Sequence, residues 1–182
     1  FECSMLNAIH DLIYKYNKVL AKAPWRSSGR GIRFLDDTLD EHTQGWLRNT
    51  LRHQGTVMIE PLYNKVMDFG MEFYRHPDGK VEYLGLSLFQ TVNGAYTGNL
   101  LVTETVKRDI LSRYISLDDL DAFTSAACDY LGANLSYTGP FGIDMMALEG
   151  RRLALAEINL RRTMGHVALA ISPLDDDIHR VM

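Results

Sequence analysis

The sequence predicts an α+β fold. Three observations predict it: apolar residues recur at helical spacing near the start and again after Ser116, the middle of the chain is strand-rich, and the last structured unit reads as a β-hairpin. At 182 residues the chain can hold one good core, or two small lobes sharing a cleft. Apolar residues make up 46% and charged residues 23%, which places the chain among globular proteins. The net charge of −4 disfavours a protein whose main task is gripping nucleic-acid phosphates. No apolar run approaches the roughly 20 residues of a membrane helix, and no signal peptide opens the chain. Cys3 and Cys128 show neither metal spacing nor a disulfide framework. That fits a reducing, cytoplasmic setting without membrane or nucleic-acid partners.

The elements follow in order. Met5, Leu6, Ile9, Leu12, Ile13, Tyr16 and Leu20 recur at helical spacing from the outset. A chain that begins at Phe1 with this periodicity already running reads as a piece of a longer protein. Ala21 to Ile32, with Pro24, Gly29 and Gly31, reads as a loop entered by a short strand. Asp36 to Gln54 reads as a helix, with Gly55 just past its end. Val57, Met58 and Ile59 make a short strand running into Glu60-Pro61. Val66 to Tyr74 and Val81 to Phe89 read as strands joined by a turn at His76 to Gly79. Thr91 to Asn99 reads as a polar loop carrying Tyr96. Ser116 followed by Asp119 resembles a capping box opening a helix to about Leu131, with Leu117, Leu120, Phe123, Ala127 and Leu131 as its buried stripe. Gly142 to Leu148 and Arg152 to Asn159 form the hairpin. A type II′ turn at Gly150-Arg151 places Glu149 opposite Arg152 and Asp144 opposite Glu157. The acidic, then apolar tail from Pro173 to Met182 reads as part of a helix.

The hairpin carries the strongest chemical signal. Its register gathers Asp144, Glu157 and Asn159 on one face, with Arg161 on the same face by parity. Two adjacent carboxylates repel, and a hard divalent cation relieves that repulsion. A guanidinium beside the cation suits phosphoryl oxygens. A solvated face neutralised by Arg161 and Arg162 gives the same pattern, so both readings stand at this point. Lys22 with Ser27-Ser28-Gly29-Arg30-Gly31 could cradle a phosphate through backbone N–H groups, although Walker spacing is absent and, read alone, the segment fits a surface loop better. Glu60-Pro61-Leu62-Tyr63 could be a hinge or an ordinary strand end. A lone His166 reads as structural, and Cys128 as core packing.

Taken in order, Lys22-Ala-Pro, the Ser-Ser-Gly-Arg-Gly loop, Val57-Met-Ile-Glu60-Pro-Leu, Gly142-Ile-Asp144 and Glu157-Ile-Asn-Leu-Arg161 resemble an ATP-grasp domain. The resemblance runs from about Val19 to His166. Glu-x-Asn-x-Arg is its most specific part, similar to the matching strand of biotin carboxylase and of carboxylate–amine ligases. It implies two α+β lobes with mainly antiparallel sheets and a nucleotide cleft between them, a partial first lobe over 1–60 and a second lobe over 61–182. It implies ATP with Mg²⁺ or Mn²⁺ as cofactors. Lys22 would contact phosphates, and Ser27, Ser28, Gly29 and Gly31 would close over them. Glu60, Leu62 and Tyr63 would hold adenine, and Asp68 the ribose. Asp144, Glu157 and Asn159 would bind the metal. Arg161, with Lys22, would serve catalysis. The implied reaction activates a small carboxylate as an acyl phosphate for attack by an amine. The alternatives are ATP-dependent phosphotransfer without ligation, and a non-catalytic interaction domain. Family members carry a further N-terminal domain that helps bind the acceptor. The acid, the amine and the oligomeric state stay open.

Overall fold

Residues 1–25, 31–92 and 95–182 are described in the computed structural model. They divide into two compact units, one built on Phe1–Tyr63 and the other on Asn64–Val92 with Tyr96–Met182. The first unit contains β1 (Glu2–Cys3), α1 (Leu6–Tyr16), β2 (Val19–Lys22), β3 (Ile32–Leu35), α2 (Glu41–Gln54) and β4 (Val57–Pro61). Its antiparallel sheet has the order β1-β4-β2-β3. Ile9 and Ile13 of α1 and Leu47 of α2 join Val19, Ala21, Val57 and Ile59 of the sheet in one buried cluster.

Two boundaries differ from the periodicity. The first helix stops at Tyr16 because Asn17 turns to φ 66° and donates its N–H to the Ile13 carbonyl, so Leu20 belongs to β2 instead. The second helix starts at Glu41, because Asp40 caps it by accepting the Thr43 N–H at 2.7 Å. Asp36 instead folds onto Thr38 ahead of it. Gly55 adopts φ 81° past the helix end, as its position in the sequence predicts.

The second unit contains β5 (Lys65–Arg75), β6 (Val81–Val92), β7 (Ala95–Leu101), α3 (Glu104–Ser112), α4 (Leu117–Asn134), β8 (Gly139–Leu148), β9 (Arg152–Asn159), α5 (Met164–Ile171) and β10 (Arg180–Val181). The sheet order is β10-β7-β6-β5-β8-β9. Phe69, Met71 and Phe73 of β5 alternate onto one face. There they meet Phe141, Ile143 and Met145 of β8 and Leu86 of β6, under Leu111 of α3 and Leu120 and Leu131 of α4. Phe73 and Phe141 stack with ring centroids 5.2 Å apart.

The second unit departs from expectation in three places. The polar stretch from Thr91 to Asn99 is not a free loop: β6 runs to Val92 and β7 starts at Ala95. The tail does not form a helix: Arg180 and Val181 pair antiparallel with Leu101 and Leu100. The hairpin turn is not type II′, because both Gly150 and Arg151 have positive φ, 74° and 59°. Leu148, not Glu149, lies opposite Arg152. The register then slips at Ala156, because Met145 faces Leu155 while Asp144 faces Glu157. This bulge restores the Asp144–Glu157 pairing that the sequence predicts.

Candidate functional site

On the face of β5 opposite the core lie Asp68, Gly70 and Glu72, and β8 continues that face with Asp144 opposite Gly70. The antiparallel ladder of β8 and β9 adds Glu157 opposite Asp144 and Asn159 opposite Gly142. Asn159 Nδ2 donates to Asp144 Oδ2 at 3.0 Å, and Arg161 Nη2 donates to Asn159 Oδ1 at 3.1 Å. The row Asp144–Asn159–Arg161 is therefore held by its own hydrogen bonds, with Glu157 across from its first member.

The electrostatics follow from this packing. Burial, with the facing Glu157 carboxylate adding to it and the Asn159 hydrogen bond partly offsetting both, pushes the Asp144 carboxyl up to about 6. A half-buried acid raised by burial and a facing carboxylate, beside an amide oxygen, is an all-oxygen donor set of the kind a hard divalent cation favours. Among the described residues, no three His, Cys, Asp or Glu side chains gather as a metal-binding group. The candidate set is two carboxylates and an amide, which fits an ion that takes its remaining ligands from phosphate and water.

In the first unit, Lys22 Nζ lies 2.7 Å from Glu60 Oε2, and both side chains are partly exposed. Gly31 has φ 81°, and its carbonyl accepts the Ala23 N–H at 3.0 Å. The Leu62 N–H donates to the Lys18 carbonyl at 3.0 Å, and Leu62 and Tyr63 are both exposed. Ser27, Ser28 and Gly29 lie outside the described residues. In the second unit, Asp68 Oδ2 accepts from Lys65 Nζ at 2.5 Å and from Thr91 Oγ1 at 2.9 Å. The structure thus brings together Lys22 with Glu60 in one unit, and Asp144, Glu157, Asn159 and Arg161 in the other.

Sequence reasoning missed Glu72. It is 2% exposed and touches Ser87, Thr163 and His166. The available signal was a lone acid in the apolar run Phe69 to Phe73, on the face that the core alternation leaves over. His166 is buried, as a structural histidine should be, and its backbone and side chain complete a capping box with Thr163 at the start of α5. Lys107 is buried on α3, and burial lowers its ammonium below the usual lysine range while Glu104 opposes that shift.

The two mainly antiparallel sheets in this order, with their helices, have the α+β fold of solved ATP-grasp structures. The chain matches no protein-family model and no curated protein. It is similar in structure to N5-carboxyaminoimidazole synthetase from Staphylococcus aureus complexed with ADP: TM-score 0.69 at 11% identity, over 91% of this chain and 40% of that one. It is also similar to the biotin carboxylase domain of 2-oxoglutarate carboxylase from Hydrogenobacter thermophilus, solved with MgADP and bicarbonate, with TM-score 0.69 at 17% identity over 94% and 37% of the two chains. D-alanyl-alanine synthetase A from Vibrio cholerae gives TM-score 0.58 at 13% identity over 87% and 48%. The chain therefore spans less than half the length of each of these proteins. No helix among the described residues is long and apolar enough to cross a membrane.

Proposed function

We propose that this chain carries the nucleotide and metal chemistry of an ATP-dependent ligase that activates a small carboxylate for attack by an amine. The observation that carries this reading is the cross-strand pairing of Asp144 with Glu157, extended by the hydrogen-bonded row Asn159–Arg161. It is supported by the fold shared with proteins whose structures hold ADP or MgADP.

In this reading Asp144, Glu157 and Asn159 hold Mg²⁺, with Mn²⁺ as a substitute. The ion, when bound, neutralises charge on the nucleotide phosphates. Lys22 contacts phosphate, and the loop of Ser27, Ser28, Gly29 and Gly31 covers it. Glu60, Leu62 and Tyr63 receive the adenine, and Asp68 the ribose. The substrate carboxylate oxygen takes the γ-phosphoryl group and ADP leaves. The amine then attacks the acyl carbon and phosphate leaves. Arg161 would stabilise the transferred phosphoryl group through its fork of N–H donors. The chain's contribution is mainly positioning and charge neutralisation.

The test is Asp144→Asn and Glu157→Gln in the full protein. Each is expected to lower ATP turnover at least a hundredfold while the circular-dichroism spectrum stays that of the parent. Wild-type turnover in either variant overturns the metal assignment. ADP and phosphate that form only when an amine is present support ligation, and formation without amine supports phosphotransfer alone.

A further inference from the structure

Glu72 is costly where it stands. A buried carboxyl must be fully hydrogen-bonded to be tolerated, and an apolar side chain would dock α5 with less penalty. The structure gives it a dedicated space. Its neighbours on both adjoining strands are glycines, Gly85 on β6 and Gly142 on β8. A Cβ added at Gly142 would come within 2.8 Å of Glu72 Oε2, and one added at Gly165 within 1.8 Å of Oε1. Three side chains converge on the carboxyl: Ser87 Oγ donates to Oε1 at 3.0 Å, Thr163 Oγ1 donates to Oε2 at 2.7 Å, and His166 Nδ1 lies 2.9 Å from Oε2. His166 Nε2 is 3.2 Å from the Phe73 carbonyl, which can only accept, so that nitrogen carries a proton.

Two of these partners bracket the first turn of α5. Thr163 caps that helix and His166 closes the capping box. Thr163 also lies two residues after Arg161, at the end of the short link from β9. Arg161 itself is exposed, and its guanidinium donates to Asn159 Oδ1 and to the Arg162 carbonyl. A surface arginine on a short link loses its aim unless the link is fixed at both ends. The ladder with β8 fixes the β9 end, and Glu72 fixes the other.

We propose that Glu72 is a positioning residue for Arg161: through Thr163 and His166 it pins the link between β9 and α5 and so holds the guanidinium in line with Asn159 and Asp144. This rests on the ligase reading of the site. Glu72 touches neither nucleotide nor metal in this role. Its partner Ser87 keeps the carboxyl from turning away from Thr163.

The experiment measures binding by calorimetry, with MgADP alone and with MgADP plus fluoroaluminate, which mimics the phosphoryl group in flight. The full protein is compared with Arg161→Ala, Glu72→Leu, Glu72→Gln, Thr163→Val, Thr163→Ser and the double variant Glu72→Leu/Arg161→Ala. Arg161→Ala should weaken the fluoroaluminate complex about tenfold more than it weakens MgADP. Glu72→Leu and Thr163→Val should reproduce that selective loss. Glu72→Gln can still accept from Ser87 and, with its amide N–H at the Oε2 position, donate to Thr163 Oγ1, and Thr163→Ser keeps the hydroxyl, so both should stay within about threefold of the parent. The double variant should be no worse than Arg161→Ala, since both changes remove one interaction. If Glu72→Leu and Arg161→Ala multiply, or if Glu72→Leu and Thr163→Val spare the fluoroaluminate complex while Arg161→Ala does not, the positioning role is wrong and the ligase reading survives. If Arg161→Ala has no selective effect, the reading of the site fails and this role with it. Should Glu72→Leu not fold, Thr163→Val against Thr163→Ser decides the same question.

Discussion

Asp144 is a residue whose usefulness opposes its stability. Its carboxyl titrates near 6 in the folded chain and near 3.9 in an unfolded one. The native state therefore binds the proton more tightly, and stability falls as pH rises from about 4 to about 6, then stays lower. Two units correspond to about 3 kcal/mol at most, and solvent screening of a partly exposed group reduces this to about 1–2 kcal/mol. Asp144→Asn should therefore stabilise the metal-free protein by about 1–2 kcal/mol at pH 7.5 and hardly at all at pH 4. Paired urea titrations at the two pH values read this directly, and equal effects at both would contradict it. Asp144 and Glu157 were legible in the sequence because strand parity fixes which side chains share a face. Glu72 was not, because its role depends on glycines on three other elements that meet only in the folded sheet.

At the scale of elements, long periodic segments were legible and short ones were not. α4 follows from its stripe, and its Ser116 cap accepts the Asp119 N–H. α3 escaped notice because it has only 9 residues and carries Lys107 at a buried position of its apolar face. α5 reads Met-Gly-His-Val-Ala-Leu-Ala-Ile, too uniformly apolar to show a period. β10 exists only through pairing with β7, which no local signal announces. The docking of α5 gives a sharp expectation. A Cβ at Gly165 would overlap Glu72 Oε1 and Cδ, at 1.8 and 2.5 Å, and come within 2.6 Å of Ser87 Oγ. Gly165→Ala should destabilise the protein by about 2–4 kcal/mol despite the better helix propensity of alanine. Gly45 of α2 meets nothing within 4 Å of its added Cβ, so Gly45→Ala should be neutral or stabilising by about 1 kcal/mol. Chemical denaturation of the two variants side by side tests the contrast.

At the scale of the molecule, each unit carries its own core, Leu47 and Ile59 in one, Phe69 and Phe141 in the other. The order of motifs along the chain made this fold readable where no single motif could. Nucleotide recognition is tested at this scale too. Saturating MgADP at about a hundred times its dissociation constant should stabilise the protein by about 2.7 kcal/mol, a rise of about 5–10 °C in melting temperature. EDTA should reverse it, and an unchanged melting curve would argue against the nucleotide site. The bulge at Ala156 has a further consequence, for life in a crowded solution. β9 closes the sheet order on one side, and Leu155, Ile158 and Leu160 are exposed along it and just beyond it. A flat apolar edge would invite a strand from another copy to add on, and a bulge bends the edge out of register with any such visitor. The irregularity that aligns the two acids thus also breaks the regular ladder of this edge. Deleting Ala156 should bring light scattering on warming at a lower temperature than in the parent, even where the hairpin still pairs.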